Sequence, residues 1–253
     1  MNIIESSVIG KKNEIECEDG IVATNDYIAV IDGSTSKTHS HFSPEMKNGR
    51  YCMLIISDFI NSMPGDITCD KFIEDITTKV ASIYAGKTIP EENRLTASAI
   101  IFSKTKQEIW MIGDCQCMVD KQMYENSKPY EMMIAQKRID LIKSGKTPKE
   151  AREEIIPLLI KEMRKGQNKQ YTVIDGTPIY KKGIKIISVE DKNEIILASD
   201  GYPFLKPTLK ESEYALFHQL ATDPQNIKTF MATKGLLDGN KSFDDRAYIR
   251  FLK

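Results

Sequence analysis

The chain has 253 residues and a formal net charge of −1, with 41% hydrophobic and 28% charged residues. That balance is the composition of a soluble globular protein rather than a disordered one, and it excludes a nucleic-acid binder that relies on bulk positive charge. No apolar run approaches a membrane span, and the length suits one domain, 1–253, with a sizeable core.

The start, Met1-Asn-Ile-Ile-Glu-Ser-Ser, lacks the basic-then-apolar layout of a signal peptide. Five cysteines without a CxxC pair read as reduced, buried thiols, which places the protein in the cytoplasm. Cys115 and Cys117 would point to one face of a strand, but zinc needs more ligands than these two.

Residues 1–16 alternate apolar and polar positions, and Lys11-Lys12-Asn13 predicts a turn between two strands. Tyr27 to Ile31 reads as a buried strand running into a sharp turn at Asp32-Gly33. Residues 34–50 form a polar loop whose His39 and His41 have no third nitrogen or thiolate nearby and read as solvent-exposed. Helical spacing follows from Tyr51 to about Asn61 and from Asp70 to Tyr84. A hairpin is predicted from Thr96–Phe102 and Glu108–Ile112, with Trp110 in the core. Residues 130–166 are helical, with a capping box at Thr147-Pro-Lys-Glu150, and Pro157 predicts a kink or an end. Strands are expected at 171–175, 184–189 and 194–199, helices near 209–222 and 224–234, and a closing strand over Ala247–Leu252. The pattern is α+β, with antiparallel meanders interrupted by helical pairs.

Acidic residues stand at strand ends: Asp19, Asp32, Asp114, Asp200 and Asp244-Asp245. Antiparallel strands can bring such ends to one rim, where clustered carboxylates repel one another and call for cations. Oxygen-only ligands favour magnesium or manganese over zinc or copper. There is no P-loop, GxSxG elbow or HExxH, and three histidines make a cysteine–histidine nucleophile a weak candidate. The residues alone permit a two-metal hydrolase and go no further.

The order of the motifs goes further. Glu18-Asp19, Asp32-Gly33, Thr96-Ala-Ser-Ala, Gly113-Asp114, Leu197-Ala-Ser-Asp-Gly201 and Asp244-Asp245-Arg-Ala-Tyr resemble the metal-dependent protein phosphatases (PPM, or type 2C, serine/threonine phosphatases). The segment Ser144–Ala151 resembles the stretch ahead of that family's late strands. The resemblance implies a β-sandwich of two mostly antiparallel sheets flanked by helix pairs, with two Mg or Mn ions at one end. It implies that Asp32 bridges the ions, the Gly33 carbonyl binds one, Asp200 and Asp244 complete the other, and Asp19 acts through water. Asp114 joins as a further ligand. A bridging hydroxide would attack a phosphomonoester of a phosphoprotein directly.

The chain departs from the family's pattern at Ser34-Thr35-Ser36, at Phe204 where a third-metal Asp is common, and at Cys115-Gln116. Glu14 stands where the phosphate-gripping arginine is usual, which leaves Lys11 or Lys12 for that role without the guanidinium fork. Two further readings stand beside the protein phosphatase: a catalytically silent phosphatase-fold module that binds partners, and a phosphatase of small phosphorylated metabolites.

Overall fold

The computed structural model of the chain describes residues 1–253. In chain order the elements are β1 (Asn2–Ile9), β2 (Asp19–Ala23), β3 (Tyr27–Gly33), α1 (Asn48–Ser62), α2 (Cys69–Ile83), β4 (Ala97–Ser103), β5 (Glu108–Ile112), β6 (Gln116–Val119) and β7 (Gln122–Tyr124). Then come α3 (Glu131–Lys143), α4 (Pro148–Gly166), β8 (Lys185–Ser188), β9 (Glu194–Ala198), α5 (Leu209–Thr222) and β10 (Arg246–Leu252). Every strand pairing is antiparallel. The strands make two five-stranded sheets, ordered β1-β10-β9-β6-β7 and β2-β3-β4-β5-β8.

Strand β3 shows why the sheets stack. Successive side chains point to opposite faces, and Tyr27 to Ile31 are all buried. Ile28 and Val30 enter the core between the sheets with Ile100, Phe102, Leu197, Ile249 and Phe251. Tyr27, Ala29 and Ile31 face the other way and pack with Ile56, Phe72, Ile76 and Trp110 under the α1/α2 pair. A strand apolar on both faces can only be central. On the outer face of the first sheet, Met118, Ile196 and Tyr248 are covered by Tyr202 and Leu205 of the turn after β9. The α3/α4 pair closes on itself through Ile134, Ile155 and Leu159.

The α+β sandwich expected from the sequence is therefore present, and the capping box at Thr147 forms with both of its hydrogen bonds. Four local expectations are corrected. Pro157 does not end α4, which runs on to Gly166. Pro157 and Glu153, whose carbonyl loses its partner, are not both buried: Glu153 is exposed and can give that bond to water, while Ala151, Ile155, Leu159 and Met163 hold the buried face. Residues 171–175 form only isolated bridges rather than a strand. The buried Asp175 carboxylate accepts bonds from Gln167, Asn168, Thr177 and Arg94, and such local bonds compete with a ladder.

The segment 224–234 is not helical. The Asp223 carboxylate takes the amides of Ile227, Lys228 and Thr229 at 3.0, 2.8 and 3.1 Å and winds the chain into a loop. Finally, Lys11-Lys12-Asn13 does turn, but the next strand waits until Asp19. Residues 10–18 are a loop pinned by Asp245, whose carboxylate accepts the Lys11 and Glu18 amides at 2.7 and 3.2 Å.

Removing the Asp223 carboxylate leaves three amides without their acceptor. Asp223→Ala is expected to lower stability by about 1–3 kcal/mol, read as a shift of the urea midpoint; an unchanged midpoint would show that the loop does not depend on this carboxylate.

Candidate metal centre

The antiparallel register delivers the acidic residues to one end of the sandwich. Asp19 opens β2 and lies directly across from Asp32 at the end of β3, and Asp32 in turn lies across from Ser98 on β4. Asp114 follows β5, Asp200 follows β9, and Asp244 precedes β10, the antiparallel neighbour of β9. Carboxylate oxygens of Asp32, Asp114 and Asp200 all lie within 4.8 Å of one another.

Close packing fixes the floor. A Cβ on Gly33 would stand 2.3 Å from the Gly49 carbonyl oxygen and 2.6 Å from that of Glu18, so only glycine lets the end of β3, the start of α1 and the approach to β2 meet. Gly113 has φ +101° and passes over Ser98, a backbone that favours glycine. Ser98 Oγ then donates to Asp114 Oδ1 at 2.5 Å. The turn holding Asp200 is fixed by Gln116, whose side-chain amide donates to the carbonyls of Ser199 and Tyr202 at 2.9 and 2.8 Å.

The carboxylates divide by environment. Burial, with Asp200, Asp19 and Asp114 nearby, holds Asp32 well above the usual carboxylate range. Asp19, 4% exposed, is pushed up to about 8 by burial and by Asp245 and Asp200. Asp114 goes the other way: burial raises it, but the Lys128 ammonium bonded to it outweighs that and lowers it. No protein donor hydrogen-bonds the Asp32 or Asp200 carboxylate, and the buried Asp19 Oδ2 and Glu18 Oε1 have no partner. Converging carboxylates and orphaned buried oxygens fit a hard divalent cation, which takes oxygen ligands and keeps some of its water.

Of the residues singled out in the sequence, Asp32, Gly33, Asp114, Asp200 and Asp244 line one cavity of about 120 Å³. Asp19 lies behind it, beside Asp32 in the sheet. Asp244 is engaged by lysines: Lys11 Nζ at 2.8 Å, and Lys234. Lys11 is not free to grip phosphate, because its ammonium is also held by Asp245 at 3.1 Å and Thr35 Oγ1 at 2.9 Å. Lys12 is absent from the cavity lining and pairs with Glu16 at 3.4 Å, largely exposed. His39 and His41 do not line it either. The cations in the cavity wall were not singled out by the sequence: Lys37, Lys128, Arg152 and Lys234. They come from the polar loop, the approach to α3, the first turns of α4 and the loop after α5, so no spacing joins them.

Because Asp19 and Asp32 keep protons in the fold at pH values where the unfolded chain has lost them, metal-free protein should lose stability as pH rises. For Asp19 the window runs from its ordinary 3.8 to about 8. Mn should reverse the loss at pH 8 and do little near pH 4, read by thermal denaturation with and without the ion. A melting temperature insensitive to both pH and Mn would contradict this assignment of the carboxylates.

No family model matches the sequence, and no curated protein matches it significantly. Solved structures do match. The catalytic domain of the serine/threonine protein phosphatase PstP in complex with two manganese ions superposes with a TM-score of 0.52 at 14% identity, over 98% of this chain and 96% of that one. The Mycobacterium tuberculosis serine/threonine phosphatase PstP/Ppp gives 0.50 at 14% identity over 100% of both chains. Serine/threonine phosphatase Stp1 from Staphylococcus aureus gives 0.50 at 15% identity, over 98% of this chain and 94% of that one. At these identities the likeness is one of fold, and it spans nearly the whole chain: this protein has the fold of the PPM serine/threonine phosphatases.

Proposed function

We propose that the chain is a metal-dependent phosphomonoester hydrolase, with a phosphoserine or phosphothreonine protein as its substrate and Mg or Mn as its cation. The observation that carries this reading is the convergence of Asp32, Asp114 and Asp200 in a cavity of the PPM fold. Substrate class follows from what the structurally similar proteins are named for, since fold alone does not fix it.

The chain's own residues divide the work. Asp32 and Asp200, with Asp114 steadied by Ser98 and Lys128, would hold the cation. A bound divalent cation supplies charge compensation and lowers the pKa of water for attack on phosphorus. Asp19 and Glu18 would take hydrogen bonds from water at the buried edge through their unpartnered oxygens.

Lys37 and Arg152 face the cavity without a carboxylate partner. Lys37 Nζ donates to the Thr35 carbonyl at 2.5 Å and Arg152 Nη1 to the Thr233 carbonyl at 2.7 Å. Burial and the neighbouring cations Arg152, Lys234 and Lys128 push Lys37 down to about 7. A cation so placed gains from an anion, and the Arg152 fork suits phosphoryl oxygens. This pair would take the role expected of Lys11 or Lys12.

One observation favours the alternative of a module without turnover: Asp244 is already paired with two lysines. Turnover separates the readings. Hydrolysis of p-nitrophenyl phosphate and of a phosphothreonine peptide should require Mn and disappear in Asp32→Ala and Asp200→Ala. Folded protein that binds Mn but hydrolyses neither substrate would favour the silent module. Arg152→Met should raise KM by about tenfold or more, the scale of one lost charge-assisted hydrogen bond. An unchanged KM would remove Arg152 from the phosphate grip.

A further inference from the structure

The acidic end of the sandwich is two sites with different chemistry. In the first, Asp32 and Asp200 accept no hydrogen bond from the protein and converge within 4.8 Å with Asp114, which alone of the three is engaged, by Ser98 Oγ on Oδ1 and the Lys128 ammonium on Oδ2. Asp19 Oδ2, buried at 4% exposure, stands unpartnered on the strand beside Asp32.

In the second site every oxygen of Asp244 and Asp245 is already engaged. Asp244 Oδ1 accepts Lys11 Nζ at 2.8 Å and the Asp245 amide at 3.0 Å, and Oδ2 meets Lys234 Nζ. Asp245 Oδ1 accepts the Lys11 amide at 2.7 Å. Its Oδ2 takes the Glu18 amide at 3.2 Å and Lys11 Nζ at 3.1 Å. The Lys11 ammonium is thus ringed by oxygens of Asp244, Asp245, Thr35 and Glu18, the last at 3.5 Å. Such a ring of oxygens is the environment a hard cation would occupy.

Both lysines are held in place by the fold. Lys11 sits in the loop pinned by Asp245. Thr35 Oγ1 accepts from Lys11 and donates to Glu18 Oε2 at 2.6 Å, so this residue of the unusual Ser34-Thr35-Ser36 stretch helps to lock the ammonium. Lys234 lies on the loop after α5. Arg138 fastens that loop by donating to the Gln225 carbonyl at 2.8 Å, and Arg152 by donating to the Thr233 carbonyl at 2.7 Å. An ammonium with this many oxygen partners leaves only by uncovering buried carboxylates, and an uncompensated buried charge is strongly destabilising.

We infer that this chain binds one divalent cation, among Asp32, Asp114 and Asp200, and that the ammonium groups of Lys11 and Lys234 stand in for a second at Asp244 and Asp245. The inference rests on the metal-dependent reading above and departs from the two ions that the family resemblance implies.

The test counts ions. Metal-free protein is titrated with Mn by calorimetry, and bound metal is measured after gel filtration by mass spectrometry. Wild type should bind one Mn per chain and show the six-line electron paramagnetic resonance spectrum of an isolated ion. The double variant Lys11→Met/Lys234→Met should bind two. Should it fail to fold, Lys234→Met alone, with a side chain about one-third exposed, should still gain a weaker second ion. Two ions in wild type would overturn the inference and leave the metal-dependent reading standing. No ion in wild type would overturn both. One ion in wild type and in every folded variant would show that the lysines replace nothing.

Discussion

Mutual repulsion among crowded carboxylates governs this molecule. The sandwich brings Asp19, Asp32, Asp114, Asp200, Asp244 and Asp245 to one end, with Asp19, Asp114 and Asp245 buried, Asp32 and Asp244 half-buried and Asp200 exposed, and like charges so crowded are costly to keep ionised without cations. The protein answers in three ways. It supplies internal ammonium groups at Asp114, Asp244 and Asp245. It locks carboxylate oxygens with backbone amides at Asp245. It also leaves Asp32 and Asp200 without a hydrogen-bond donor from the protein, which is where the proposed external cation would sit.

The fold is what enforces this crowding. Because β3 is buried on both faces, its terminal Asp32 cannot swing away from Asp19 and Ser98, its partners in the neighbouring strands. The close passage of Gly33 beside Gly49 and Glu18 ties the same end to α1. The turn at Asp200 is anchored by Gln116 from the next strand in the sheet. A rigid scaffold thus positions side chains that would otherwise separate, the condition for a preorganised site.

Much of this was legible in the sequence, and the reasons differ by residue. Strand ends marked by Asp and Gly are local signals, so Asp32, Asp114, Asp200 and Asp244 could be found and their meeting anticipated from an antiparallel layout. Trp110 and the Thr147 capping box were equally local. The wall cations were not legible, because Lys37, Lys128, Arg152 and Lys234 meet only through tertiary packing of four separate segments, each polar and ordinary alone. Lys11 and Lys12 stand in sequence beside Glu14, the position of the expected arginine, yet the turn sends Lys12 outward to Glu16 while Lys11 turns inward to Asp244. The missing helix at 224–234 and the missing strand at 171–175 share one cause. In each, a single buried carboxylate, Asp223 or Asp175, captures nearby donors, including backbone amides, and overrides the apolar rhythm.

Asp32, Asp114 and Asp200 converge at one end of a phosphatase fold, and the proposal that they hold a hard divalent cation rests on that convergence. Anomalous diffraction at the manganese edge from a crystal soaked in Mn tests it most directly. The expected result is a peak within coordinating distance of those three carboxylates, lost in crystals of Asp32→Ala. Manganese found only elsewhere on the surface, or no peak with the three carboxylates splayed apart, would contradict it.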